Sequence, residues 1–168
     1  MPKIIENLRE KLTAEAKRQI LESGYAAVTI RSVASACQVG VGTVYNYFPS
    51  KDDLVASAML EDWILCLGHI REVSERASEP KEVLEQIYHQ FHLYAACYRE
   101  VFQDPAAATA FSGSFSQRHS LLRKQLAEPL EKFCDSTFAS EFISEAMLTW
   151  TAAGRSFQEI YDQVNKLF

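Results

Sequence analysis

The stretch from Thr29 to Leu54 concentrates the residue types best suited to touching another molecule. Within it, Gly42-Thr43-Val44-Tyr45-Asn46-Tyr47-Phe48-Pro49-Ser50-Lys51 brings two phenols, a carboxamide and a lysine together where a soluble helix would carry scattered charge. Such a surface is made to lie against a partner rather than to turn over a substrate. Enzyme signatures are missing: the chain has no H-E-x-x-H, no G-x-S-x-G and no P-loop, and no carboxylate pair in an apolar setting that would tune its acidity. Gly40-x-Gly42 resembles the start of a dinucleotide fingerprint. However, position 45 is tyrosine instead of a third glycine, and no strand precedes the run. No enzyme activity, cofactor or metal is expected.

The elements that must position this run follow from local physics. Thr29 is a suitable N-cap before Ile30, Val33, Ala34 and Cys37, which share one helical face, so a short helix is expected over about Ile30 to Cys37. Gln38-Val39-Gly40 interrupts it, with Val39 as an apolar plug and Gly40 free to take the backbone angles of a sharp turn. A second helix is expected from about Val41 to Tyr47, with Val44 and Phe48 turned inward. Pro49 ends it. Ser50 then caps a third helix whose first turn carries Asp52 and Asp53, where the helix dipole favours negative charge. The layout is helix-turn-helix with a third helix abutting it.

At these residues the chain resembles the tetracycline-repressor (TetR) family of bacterial transcription regulators. Val33-Ala34, Val39, Gly42-Thr43, Tyr45, Tyr47-Phe48, Lys51 and Leu54 fall in the order and spacing of that family's signature, over roughly the first third of the chain. Cys37, Gln38 and Gly40 depart from it, standing where the family usually has alanine, glycine and serine. The resemblance implies that the second helix of the motif enters the DNA major groove. The DNA-contacting set would then be Thr29, Arg31, Val41, Gly42, Thr43, Tyr45, Asn46, Tyr47 and Lys51. The chemistry suits those roles. Asn46 can pair bidentately with adenine, Val41 can touch a thymine methyl and Arg31 can seek guanine, while the Tyr45 and Tyr47 hydroxyls and Lys51 suit phosphate oxygens. Val44 and Phe48 are expected in the core, where aromatic residues at helical spacing usually pack, and Tyr45 and Tyr47 have that alternative too.

Composition frames the motif. A chain of 168 residues can bury a sound core as one domain or two small ones. It has no apolar stretch of membrane-spanning length and no secretory segment behind Met1-Pro2-Lys3-Ile4, so a cytoplasmic protein is expected. Cys37, Cys66, Cys97 and Cys134 lack paired spacing and are expected as buried free thiols, with redox sensing the lesser reading. The net charge of −5 looks wrong for a DNA binder until it is divided along the chain. Residues 1–51 carry seven Lys and Arg against four Asp and Glu, and residues 52–168 carry ten against eighteen. Phosphate should therefore meet the first part, with an affinity that falls as salt rises.

The remaining periodicity is helical throughout. Ile5, Leu8, Leu12, Ala16 and Ile20 mark a first helix ending at Ser23-Gly24, and a connecting helix is expected from Lys51 to about Ala77. Leu84, Ile87, Tyr88, Phe91, Ala95, Tyr98 and Phe102 read as one face of a helix running from Pro80 to Asp104. Ser112-Gly113-Ser114 is a break. Leu121, Leu122, Leu126, Leu130 and Phe133 mark another helix, bent at Pro129. The last two helices are expected over Ser140 to Ala153 and Ser156 to Leu167, the second with a Ser156–Glu159 capping box and a stripe of Phe157, Ile160, Tyr161, Val164 and Phe168.

An all-α protein of about nine helices is expected: a helix-turn-helix domain over residues 1–50 and a helical ligand-binding and dimerisation domain over 51–168, with 51–77 connecting them. The apolar stripes of the last two helices either complete a monomer's core or pair with a second copy as a four-helix bundle. The resemblance favours a homodimer, and a palindromic operator read by two motifs about 34–36 Å apart argues the same way. The resemblance also implies a small-molecule inducer. Candidate lining residues are Trp63, Cys66, Phe91, His92, Ala95, Phe111, Phe115, His119, Met147 and Trp150, though each could equally be plain core. His89 and His92 are spaced as a metal pair, but His89 falls on the polar side of its helix. The function expected is a DNA-binding transcription regulator, a repressor released by its inducer. The alternatives are a ligand-binding protein without DNA activity, and an activator or nucleoid-organising protein.

Overall fold

The computed structural model describes residues 7–111 and 115–168, with the side chains of 115–117 excepted. Ten α-helices and short 3-10 turns account for the regular structure of these residues: α1 (Leu8–Ser23), α2 (Ile30–Ala36), α3 (Val41–Tyr45), α4 (Lys51–Arg76), α5 (Pro80–Cys97), α6 (Arg99–Gln103), α7 (Pro105–Phe111), α8 (Phe115–Ala127), α9 (Thr137–Ala152) and α10 (Phe157–Val164). The all-helical expectation is met, with an N-terminal helix-turn-helix followed by a helical C-terminal region. Ile5 and the Ser112-Gly113-Ser114 break lie outside the described residues.

Packing divides the chain into two compact units. The first comprises the described residues of Met1–Asp62 and Cys97–Gly113, and the second those of Trp63–Ala96 and Ser114–Phe168. In the first unit, Leu8, Leu12, Ala16 and Ile20 form the buried stripe of α1, and Ile30, Val33 and Ala34 of α2, Val44, Phe48, and Leu54, Val55 and Ala58 of α4 are buried with them. Gly24 ends α1 at φ 77, with its N–H on Ile20 O at 2.9 Å, a backbone region that glycine enters without penalty. Residues 97–113, expected in the C-terminal domain, add Tyr98, Val101 and Ala107 to this core.

In the second unit, Trp63, Leu67 and Ile70 pack with Val83, Leu84, Ile87, Leu126, Leu130, Ile143, Met147, Ile160 and Val164. The Lys132 ammonium closes the end of α4 by donating to the carbonyls of Ser74 and Ala77, the latter at 2.9 Å. Those are the acceptors a helix leaves without internal partners. Ser136 caps α9, and Ser156 with Glu159 forms the expected capping box of α10.

Three expectations from periodicity are corrected. The helix from Pro80 stops at Cys97, because Tyr98 leaves helical geometry (φ −105, ψ 17) and the chain resumes as α6. Tyr98 is fully buried in the first unit, and the tertiary contacts it makes there outweigh the continuity of the stripe. Phe102, the last member of that stripe, is 55% exposed. The helix through Pro129 is not bent but ends at Ala127, and Glu128–Phe133 form a 3-10 turn, since proline cannot supply the N–H that an α-helix needs there. Leu121 of that stripe is exposed. The last helix ends at Val164 and passes into a 3-10 turn, leaving Phe168 exposed.

Candidate nucleic-acid interface

Thr29 begins the motif with a full capping box. Its hydroxyl accepts the Ser32 N–H at 2.9 Å, and the Ser32 hydroxyl oxygen accepts the Thr29 N–H at 3.0 Å. Thr29 is therefore engaged locally as a helix start. The Ser32 hydroxyl also lies 2.6 Å from Gln19 Oε1, tying α2 to α1, a brace that periodicity alone could not reveal.

The turn between α2 and α3 is built differently from expectation. Gly40 has ordinary extended angles (φ −70, ψ 146) and serves as the N-cap of α3 without a side-chain bond. The left-handed residue is Gln38, at φ 57. This is the position where the resemblance would put glycine, so the turn keeps its shape although the residue that favours it is absent.

The α3 helix is five residues long, shorter than expected, and continues through Asn46 and Tyr47 as a hydrogen-bonded turn. Val44 and Phe48 are buried as expected and root it in the core. On the opposite side Val41, Gly42, Tyr45, Asn46 and Tyr47 are exposed, with Tyr45 at 52% and Tyr47 at 41%. Thr43 is half-buried and Arg31 is exposed on α2. A Cβ added at Gly42 would meet nothing within 4 Å, and its φ is not one that requires glycine. The fold gives no reason for a glycine in this helix, whereas a backbone that must approach another molecule closely does.

Lys51 is half-buried rather than free in solvent. Its ammonium stands 3.8 Å from the centre of the Tyr25 ring, whose hydroxyl donates to Asp52. Burial pulls the Lys51 ammonium below the ordinary lysine range, partly offset by the carboxylates of Asp52 and Asp104. Burial likewise pushes the Tyr25 phenol up, with Asp52 adding to the effect. Arg9 lies 4.7 Å over the Phe48 ring and donates to Ser57 Oγ at 3.3 Å. No local pattern in the chain marks Tyr25 or Arg9 as a neighbour of this surface: Tyr25 sits in a three-residue 3-10 turn, and Arg9 is distant in sequence.

Packing also changes the charge. The first unit gathers Asp52, Asp53, Glu61, Asp62, Glu100 and Asp104 against one further basic residue, Arg99, so its balance is eight basic to ten acidic. The positive excess belongs to the chain segment 1–51 and not to the compact unit.

The ten candidate ligand residues do not behave as one group. Trp63 and Met147 are core, while Cys66 and Phe91 pack against the same cluster. Phe91 and Tyr94 meet the Trp63 ring edge-on at 6.3 and 5.4 Å, and the Trp63 indole N–H donates to Gln125 Oε1 at 2.8 Å. His92 is exposed and stacks on Tyr88, Trp150 is 48% exposed on α9, and Ala95 is half-buried. Phe111 belongs to the first unit, edge-on to Tyr25 at 6.4 Å. His119 Nε2 lies 2.8 Å from the Glu145 carboxylate, beside Arg123. The Phe115 side chain lies outside the described residues. The four cysteines are free and half-buried rather than buried. Among the described residues no three His, Cys, Asp or Glu side chains are placed to hold a metal, and no helix is long and apolar enough to cross a membrane.

Residues 12–58, which hold the motif and its supporting helices, match the pattern of bacterial regulatory proteins of the tetR family. That segment is a tetR-family regulatory domain. The transcriptional repressor KstR of Rhodococcus jostii is 36% identical over an alignment of 66 residues that covers 34% of this chain and 31% of that protein. The match thus spans about a third of that curated relative's length. Likeness of fold extends further. The crystal structure of the transcriptional regulator SCO7518 from Streptomyces coelicolor A3(2) superposes with a TM-score of 0.72 at 17% identity, covering 95% of this chain and 96% of that one. The TetR-family repressor FadR of Thermus thermophilus, solved with lauroyl-CoA, gives 0.57 at 22% identity, covering 95% and 92%.

Proposed function

We propose that this chain is a sequence-specific DNA-binding transcription regulator of the TetR family, a repressor that binds a palindromic operator as a homodimer and is released by a small molecule. The observation that carries the reading is the exposed face of Val41, Gly42, Tyr45, Asn46 and Tyr47, on a helix rooted by buried Val44 and Phe48. It presents phenols, a carboxamide and an unobstructed backbone to the major groove, with Arg31 beside it for a base edge and Thr29, Thr43 and Lys51 for phosphate. Residues 1–50 form the reading head in this account, and 51–168 the part that binds ligand and partner in the cytoplasm.

The second copy would join through α9 and α10. Phe138, Phe142 and Trp150 follow one face of α9 at 78%, 54% and 48% exposure, with Leu167 and Phe168 exposed after α10. A row of large apolar side chains left in water is the mark of an interface. The inducer would be largely apolar, meeting the aromatic group of Trp63, Phe91 and Tyr94, in keeping with the acyl-CoA held by the Thermus FadR.

Selection of bound duplexes from a random pool tests the proposal. Enrichment of a palindrome whose half-sites are one helical turn apart is expected, and its loss on Tyr45→Ala. A pool that emerges unenriched would overturn the reading.

A further inference from the structure

Lys51 opens α4, yet its side chain is held by residues from two distant parts of the chain. Its ammonium lies 3.8 Å from the centre of the Tyr25 ring. Tyr25 is itself fixed twice, through its hydroxyl to Asp52 and through an edge-on contact with Phe111 at 6.4 Å. Phe111 closes α7 and Asp104 opens it, the Asp104 carboxylate accepting the N–H groups of Ala106 and Ala107 at 2.8 and 3.2 Å. That bonding holds the carboxylate in place, within electrostatic reach of both Lys51 and Tyr25.

We propose that Tyr25 is the positioning residue for Lys51, docking its ammonium on the tyrosine ring with the Asp104 charge adding to the hold, and that DNA phosphate must draw the ammonium away, so that the segment around α7, which braces the Tyr25 ring through Phe111, sets DNA affinity. The inference rests on the reading of Lys51 as a phosphate contact. An ammonium that leaves an aromatic face to meet phosphate gives up that contact and the attraction of nearby negative charge. The docked state therefore competes with the bound one, and Asp104 is its contribution from outside the helix-turn-helix. The arrangement lets a shift of α7 raise or lower affinity without altering any side chain on α3.

Binding of the full-length protein to a fluorescein-labelled duplex of mixed sequence, at low salt, tests this. Asparagine also caps helices, so Asp104→Asn keeps the start of α7 while removing the charge. It is expected to tighten binding about threefold, the size of a partly exposed charge interaction. Glu100→Gln removes an exposed charge from α6 and should do less. In a Lys51→Gln background the effect of Asp104→Asn should vanish. An equal gain with and without Lys51 would mean plain repulsion and overturn the proposal, as would no gain in the native background. If Lys51→Gln itself binds as tightly as the unaltered chain, the phosphate role fails, and that failure is distinct from failure of the docking alone. A second readout does not depend on affinity. After reductive methylation with 13C-formaldehyde, the Lys51 resonance should be displaced by the Tyr25 ring current and return toward the ordinary lysine position when duplex is added. An undisplaced resonance in the free protein would overturn the docking.

Discussion

The Tyr98 hydroxyl donates to Asp62 at 2.7 Å, and the same carboxylate holds Lys17 of α1 at 2.6 Å. Asp62 thus fastens the first helix of the chain to the residue at which the run from Pro80 breaks. Tyr98→Phe keeps the ring and removes the bond. It should lower stability by about 1–2 kcal/mol, read as a drop of a few degrees in thermal midpoint. Hydrogen exchange should quicken in α1 around Lys17 more than in α9. An unchanged midpoint would show that the hydroxyl contributes nothing net.

Gln38 sits at φ 57, where a β-carbon is crowded and glycine is not. Gln38→Gly should raise stability by about 1 kcal/mol in denaturant titration, because removal of the strain outweighs the added freedom of the unfolded chain. Loss of stability would mean that the glutamine side chain makes a compensating contact.

Gly42→Ala separates folding from recognition. Nothing lies within 4 Å of the new methyl, and alanine favours helix, so stability should rise by up to about 1 kcal/mol. DNA binding should weaken at the same time, measured by anisotropy on the selected operator. A variant that is both more stable and equally tight would remove Gly42 from the reading surface.

The Glu145 carboxyl feels burial, which pushes its pKa up, but hydrogen bonds from His119 and Thr149 and the nearby Arg123 charge prevail and hold it below the ordinary carboxylate range. A depressed carboxyl stabilises the fold above its unfolded pKa, and that contribution is lost as pH falls through the folded value. The link between α8 and α9 should therefore weaken below about pH 4. Thermal midpoints of the native chain and Glu145→Gln should converge as pH is lowered from neutral into that range. A gap that stays constant would show that the titrating group lies elsewhere.

Phe142 stands 54% exposed within the apolar row of α9. Phe142→Glu should leave the monomer fold intact by circular dichroism but shift sedimentation toward monomer. Operator affinity should fall by more than about tenfold, because two linked heads bind far better than one. A variant that remains dimeric would place the interface on another face.

The sequence by itself determined the local parts. Thr29, Ser50 and Ser156 act as helix starts, Gly24 as a stop, Val44 and Phe48 as roots of α3, and the register of Gly42 to Lys51 marked the family, because caps, stops and apolar periodicity depend on neighbours a few residues away. The ligand candidates were far less legible, since an aromatic residue at helical spacing reads alike whether it ends as core, like Trp63, or in solvent, like Trp150.

Only the tertiary structure decided where distant residues meet. It broke the run from Pro80 at Tyr98, because a buried hydroxyl bonded to Asp62 outweighs an unbroken stripe. It assigned the left-handed angle of the turn to Gln38 instead of Gly40. It also laid Lys51 on Tyr25, and it gathered acidic residues from beyond position 51 into the unit that carries the reading helix, reversing that unit's charge balance. Contacts between residues some fifty positions apart depend on how helices pack, and packing leaves no periodic trace along the chain.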